Sequence, residues 1–251
     1  CRRLYSSCTF FYFNVFNLCF PINFNKAAKI EFVSGSAFMG SVVEEIELPA
    51  VVEFGPAIFD MCAELEVVSF HQDSSFTSLP SGMFSGCTRL QKITIPDSVT
   101  VIEDSVFAGC TLLNTVVFGE NSKLQAIHDY AFQKANFKEF TMPKNLVSLG
   151  MGVFDGCTSL RKITLSDKIT VVYADTFSSC SALSEVIVPQ SNPYLKSIDG
   201  VVYDYAETIL YFFPRQKSAT GFTLPDTLIT IEAKSMQYFK GQELILPETL
   251  E

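Results

Sequence analysis

The stretch Phe84–Pro96, FSGCTRLQKITIP, returns as FAGCTLLNTVVF from Phe107 and as FDGCTSLRKITL from Phe154. A Phe, a Cys three residues on and a Leu three further on keep recurring. With the Phe as marker, the slots fall at Phe38, Phe59, Phe84, Phe107, Phe132, Phe154 and Phe177, in steps of 21, 25, 23, 25, 22 and 23. Met236 takes the same slot later, because DTLITIEAKSM (226–236) parallels DSVTVIEDSVF (97–107). A period of this length is the signature of stacked supersecondary units.

Each unit has two halves. In the first, Leu90-x-x-Ile93-x-Ile95-Pro96 alternates with period two, which predicts a strand. Pro96 has no N–H to give a ladder, so the strand stops there. The second half, Asp97–Phe107, has counterparts in KNLVSLGMGVF (144–154) and DKITVVYADTF (167–177). Val99 and Val101–Ile102 read as buried, which predicts a second short extended segment. The Phe then opens a tight turn in which Gly86 or Gly156 allows an unusual backbone angle. One unit cannot close a core, but stacked units can, with equivalent strands ~4.8 Å apart. Phe then lies over Phe, Leu over Leu and Cys over Cys, and each buried Phe is worth ~1.5–3 kcal/mol. The expected fold is a solenoid of stacked parallel β-strands with short second strands and tight turns, β-rich with little helix.

The pattern F-x-x-C-x-x-L-x-x-I-x-I-P-x-x-V-x-x-I resembles the BspA-like leucine-rich repeats, found in surface proteins of host-associated bacteria and of some parasitic protists. The resemblance covers roughly Ser36–Glu251. Asn192–Pro214, NPYLKSIDGVVYDYAETILYFFP, is similar to a hairpin-bearing insert such proteins carry. Val201–Tyr203 and Thr208–Phe213 are its two β-prone runs, and they account for the 59 residues between Phe177 and Met236. Some units depart from the pattern. Ala135 and Ser41 occupy the Cys slot, and the Leu slot of the Phe132 unit shifts to Phe137. The organisation expected is an N-terminal segment over 1–35, a cap or leader remnant in which AKIEFV (28–33) could be a capping strand. A repeat domain over 36–251 follows, with the insert near 192–214. The last residues, LILPETLE, stand in mid-repeat, so the repeats are expected to continue past Glu251. The resemblance implies a non-enzymatic, protein-binding role at the cell surface or in secretion, in an adhesin-like setting.

Bulk properties agree with a folded, soluble repeat array. Of the 251 residues 48% are hydrophobic, with 24 Phe and no Trp, which excludes a disordered chain. The net charge of −9 disfavours nucleic acid, whose phosphates require a basic face. The longest apolar run, Phe10–Phe20, is broken by Asn14 and Asn17 and is shorter than the ~18 residues of a membrane span. It follows Arg2 and Arg3, so it reads either as the core of a secretory signal or as a buried strand or cap. No Asn-x-Ser/Thr sequon occurs.

Catalytic chemistry finds no motif. Of the eight cysteines, Cys62, Cys87, Cys110, Cys157 and Cys180 hold the repeat slot, and Cys1, Cys8 and Cys19 lie outside it, where pairing is open. No C-x-x-C pair supports zinc or redox work. Because Ala135 and Ser41 fill the same slot, small size rather than reactivity is what the slot demands, and the thiols read as buried packing units. His71 stands where Pro96 stands in the next unit and is expected to be exposed, and His128 beside Asp129 reads as a surface pair. No metal or cofactor is implied. Variation concentrates on the strand flanks, which should face outward side by side as one broad open sheet. They are Glu45 and Glu47, Val67 and Ser69, Lys92 and Thr94, Thr115 and Val117, Glu139 and Thr141, Lys162 and Thr164, and Glu185 and Ile187. Solvation alone explains such a face. A binding surface for a protein or extracellular-matrix partner explains it too, since solenoids recognise partners over extended faces. An intracellular scaffold with the same solenoid, and the accessory region of an enzyme, are the competing readings.

Overall fold

The computed structural model describes residues 10–11, 29–218, 221–237, 239 and 244–250. The strands, in chain order, begin with β1 (Phe10–Phe11), β2 (Lys29–Val33), β3 (Glu45–Leu48), β4 (Ala50–Phe54), β5 (Val67–Phe70) and β6 (Ser78–Leu79). They continue with β7 (Lys92–Ile95), β8 (Val101–Ile102), β9 (Thr115–Phe118), β10 (Ala126–Ile127), β11 (Glu139–Thr141) and β12 (Ser148–Leu149). The last are β13 (Lys162–Thr164), β14 (Glu185–Ile187), β15 (Leu195–Ile198), β16 (Val201–Asp204), β17 (Ile209–Phe212) and β18 (Thr230–Ile231).

The two halves of each unit make two strand layers. First halves supply β3, β5, β7, β9, β11, β13 and β14, and second halves supply β2, β4, β6, β8, β10 and β12. Neighbouring strands within a layer run parallel, one repeat apart: Lys92 lies beside Thr115, and Ser78, Val101, Ala126 and Ser148 form one row. Parallel pairing follows from the repeat itself, because every return to the same layer crosses the whole unit. Between the layers lies one continuous core from Ile30 to Phe212. Val99 and Ile102 are buried in it as expected, whereas Val101 is only half-buried: in a two-residue strand one side chain must point away from the core.

The turn that carries the marker Phe is built on two left-handed residues, two before it and two after it. Ser36, Ala57, Gly82, Ser105, Tyr130 and Gly152 hold the first position, and Gly40, Met61, Gly86, Gly109, Lys134 and Gly156 hold the second, all with φ between 55° and 74°. Glycine alone takes this conformation without strain. The Phe between them is delivered inward, and successive rings from Phe38 to Phe177 stack at 5.3–5.9 Å with planes within 17° of parallel.

The slot cysteine does more than fit. Each thiol donates to the carbonyl of the previous unit's Phe: Cys62 to Phe38 at 3.0 Å, Cys87 to Phe59 at 3.1 Å, Cys110 to Phe84 at 3.1 Å, Cys157 to Phe132 at 3.2 Å and Cys180 to Phe154 at 3.0 Å. The carbonyls of Phe59, Phe84 and Phe154 also accept the N–H of their own unit's Cys at 3.0–3.1 Å, so both lone pairs are used. Size alone was too weak a reading of the slot: Ala135 fills it without donating, and Ser41 bonds the Cys62 sulfur at 3.3 Å.

The insert holds the hairpin read from the sequence, β16 with β17, and builds it into a wall across the stack. β15, β16 and β17 pair antiparallel, with β15 an addition to the two runs read from the sequence. Along β16, Val202 faces the long core while Val201 and Tyr203 face a second core with Leu210, Phe213, Leu224 and Leu228. β17 then pairs parallel with β18, and Phe213 N–H donates to Ser235 C=O at 2.9 Å, as the marker Phe residues from Phe38 to Phe154 do to the residue before the next marker. Phe213 therefore resumes the Phe slot, 23 residues before Met236. Beside the wall Phe177 lies in a 3₁₀ turn, Ala174–Phe177, and its ring meets Phe212 at 5.0 Å.

Candidate binding surface

The flanking residues of the first-layer strands do form rows, but in three panels rather than one sheet. Glu45 lies beside Val67 and Glu47 beside Ser69 in the panel β3–β5. Lys92 lies beside Thr115 and Thr94 beside Val117 in β7–β9. Glu139, Lys162 and Glu185 make one row of β11–β13–β14, and Thr141, Thr164 and Ile187 the other. No ladder joins β5 to β7 or β9 to β11. This corrects the expectation of a single open sheet.

The sequence contains the cause. Both seams follow the units with 25-residue steps. In those units the turn after the strand is longer and Phe, not Ile or Leu, ends the strand. Phe70 contacts Phe54, Phe76 and Phe84, and Phe118 meets Phe140 edge-on at 6.1 Å. At both seams the ladder lapses beside a strand that ends in one of these rings.

Exposure along the rows is uneven. Glu45, Glu47, Val67, Ser69, Lys92, Thr94, Glu139 and Thr141 are exposed, whereas Thr115, Val117, Lys162, Thr164, Glu185 and Ile187 are half-buried by the turns and the insert around them. Lys162 Nζ lies 3.3 Å from Glu185 Oε2 across the third panel. Beside the first panel Arg89 Nη1 meets Glu64 at 2.6 Å and Nη2 meets Glu66. Those carboxylates, Glu64 first, raise the guanidinium pKa further. The second seam opens as a groove of 530 Å³ lined by Asn114, Asn136, Lys138 and Glu139. Sequence reading missed Asn114, Asn136, Lys138 and Arg89 because they precede the strands. The signal was present in the one residue missing between Phe132 and its strand.

The remaining chemistry-bearing residues lie apart from this face. The five described cysteines are unpaired and buried, and burial pushes each thiol pKa up, to about 12 for Cys110 and Cys180. His71 is half-buried, not exposed, because its Nδ1 accepts the Asp73 N–H at 3.2 Å in the lengthened turn. His128 is exposed beside Asp129, whose carboxylate instead accepts the Met151 N–H at 2.7 Å. Among the described residues no three His, Cys, Asp or Glu side chains gather as metal ligands, and no helix is long and apolar enough to cross a membrane. Cys1, Cys8 and Cys19, and the apolar run apart from the β1 backbone, lie outside the described residues.

Comparison with known proteins gives a consistent family. The BspA type leucine rich repeat region matches residues 9–125 and 113–212, in six copies. Among curated proteins none matches the chain. Among solved structures, a leucine-rich repeat protein from Eubacterium ventriosum is similar at TM-score 0.65 and 24% identity, over 74% of this chain and 49% of that one. One from Bacteroides ovatus is similar at TM-score 0.56 and 24% identity, over 90% of this chain and 62% of that one. A leucine rich cell surface protein from Faecalibacterium prausnitzii is similar at TM-score 0.57 and 17% identity, over 94% of this chain and 70% of that one. The chain thus spans about half to two thirds the length of the first two.

Proposed function

The chain belongs to the BspA-type leucine-rich repeat family, and we propose that it is a non-enzymatic protein-binding module of a cell-surface or secreted, adhesin-like protein. The observation that carries this reading is the panelled strand face. Its backbone is repetitive, yet its outward-facing side chains, exposed or half-buried, change from acidic in the first panel to mixed in the second and alternating in sign in the third. A rigid row-by-row display of unlike groups, notched by a polar groove, is what an extended recognition surface requires. The surface setting rests on the family and on the Faecalibacterium neighbour, which is a cell surface protein, and the partner is a host or matrix protein.

Two measurements test the reading. Protease shaving of intact source cells should release peptides of this chain, and peptides appearing only after lysis would move the protein inside the cell. Binding of the full chain to immobilised matrix proteins should fall at least tenfold in a Glu45→Lys, Glu47→Lys, Lys92→Glu variant that keeps its thermal transition. Equal binding by that variant removes the face from the proposal. An intracellular scaffold is the second reading, favoured by the five unpaired thiols.

A further inference from the structure

Between β9 and β11 the interrupted ladder leaves a backbone signature. At three junctions of the first layer, the carbonyl just before one strand accepts two N–H groups at the start of the next. Glu44 C=O takes the N–H groups of Glu66 and Val67, Gln91 C=O those of Asn114 and Thr115, and Arg161 C=O those of Ser184 and Glu185, all at 2.8–3.3 Å. Asn114 and Glu139 hold the corresponding places at the seam, Glu139 sharing a row with Lys162 and Glu185. Among the described residues no bond joins Asn114 C=O to the N–H of Lys138 or Glu139. The chain crosses one position earlier instead, where Asn136 N–H donates to Leu113 C=O at 2.8 Å. Past that bond the edges of β9 and β11 face each other without a ladder, and the 530 Å³ groove opens at their start. A strand edge with unladdered N–H and C=O groups is a template for another strand.

The lining of the groove says what that strand belongs to. It carries one charge of each sign, from Lys138 and Glu139, and so favours neither a polyanion nor a polycation. No aromatic ring is among the described lining residues, so a planar ligand has nothing to stack on. A carboxamide, by contrast, offers a donor and an acceptor side by side, as a peptide group does. Asn136 brings one to the groove and Asn114 another, the latter bonded to the Thr115 hydroxyl at 2.8 Å and to the Leu112 carbonyl at 3.2 Å.

We propose that the β9–β11 seam binds an extended peptide segment of the partner protein by strand addition, the segment's main chain taking the Asn114 carbonyl and the Glu139 N–H. That assignment rests on the protein-binding reading and names the part of the partner that is held: an unfolded segment, recognised through its backbone, rather than a folded face. Its side chains stand over the flanking rows, Thr115 and Val117 on one side and Glu139 and Thr141 on the other, and these supply specificity.

The test uses the full chain and a pool of random heptapeptides, acetylated and amidated at their ends. Members retained by the immobilised chain are identified by mass spectrometry, and the tightest is made again with single N-methyl groups along its backbone. Its affinity should fall roughly tenfold at two or more central positions, since each methyl removes a donor and blocks the approach of the strand edge. Hydrogen exchange at the Glu139 amide of the unaltered chain should slow at saturating peptide, a readout that needs no variant to fold. Asn136→Arg, which fills the groove from an exposed position, should lose the peptide and keep its thermal transition. No retained peptide, equal binding by all the N-methyl variants, an unchanged Glu139 amide, or peptide still held by a folded Asn136→Arg each overturns the seam. The matrix-binding assay separates this site from the module as a whole. Matrix binding that falls in the Glu45→Lys, Glu47→Lys, Lys92→Glu variant but not in Asn136→Arg leaves the protein-binding module standing and overturns the seam. Peptide binding without matrix binding keeps the seam and removes the matrix partner.

Discussion

Phe107→Ala tests the stacking on which every other feature depends. The ring is fully buried, with Phe84 at 5.5 Å and Phe132 at 5.3 Å, both nearly parallel to it. Truncation of a buried Phe costs about 3–5 kcal/mol, the larger figures arising where the surroundings cannot close on the cavity. Here they cannot. The turns on either side are pinned, with Phe84 N–H bonded to Val106 C=O and Phe107 N–H to Ala131 C=O, both within 2.9 Å. The expected loss therefore lies in the upper part of that range. Phe107→Leu separates burial from ring contact. It keeps most of the apolar surface and deletes two stacked pairs worth about 0.5–1.5 kcal/mol each, so about 1–3 kcal/mol should go. Urea unfolding followed by circular dichroism reads both. Because each unit touches only its neighbours, Phe107→Ala should also split one transition into two, as the units before and after it uncouple. A loss below about 1 kcal/mol for Phe107→Ala, with one transition retained, would falsify the stacked column as the source of cohesion.

Other outcomes follow from single contacts. Gly109→Ala should cost about 1–2 kcal/mol in a thermal melt through backbone strain at φ 74° alone, since the new Cβ meets nothing closer than 3.7 Å. Lys134→Gly, in the equivalent left-handed position of the next unit, should leave stability equal or higher. Asn192→Ala should cost about 2–4 kcal/mol in urea unfolding, because the amide donates to Ser166 and Ile169 carbonyls while its oxygen accepts from Tyr194 and Leu195 N–H groups at 2.8 and 2.9 Å. The slot thiols should resist maleimide in the native chain at pH 8 and react after denaturation, as read by peptide mass spectrometry. Their folded pKa values are raised, so the stability they lend is complete below the unfolded thiol pKa of about 8.5 and drains as pH climbs toward 12. Urea midpoints should therefore fall between pH 8.5 and 11, and a flat profile refutes the buried-thiol account.

How far the sequence could be read depended on whether a feature repeats. Core and strand positions recur with period two inside a period of about 23, so Ile93, Ile95, Cys110 and Phe107 were legible as one column each. The left-handed turn positions were half legible. Gly86 and Gly156 announce theirs, but Met61, Tyr130 and Lys134 adopt the same angle without a sequence sign, held there by the units stacked on either side. The insert was legible as a hairpin and not as a wall, because β16 alternates between two cores and a strand buried on both faces shows no alternation of polarity.

The panelled face shows most clearly why repetition both reveals and conceals. Reading outward-facing flanks from a consensus assumes that every unit sits one strand spacing from the last. Steps of 25 residues broke that assumption in the sequence itself, and so did Phe70 and Phe118 at strand ends. Each change is small, two extra residues and one ring for an aliphatic side chain. Yet the ladders lapse at both places, after β5 and after β9. The departures from the consensus are therefore the residues that shape the recognition surface. The groove at Asn114 and Asn136 lies at one of them, so exchanging the Phe118 ring for Ile should let β11 approach β9 and close it. Loss of partner binding in Phe118→Ile, with the melting transition kept, would place recognition at the seam; unchanged binding would place it on the panels.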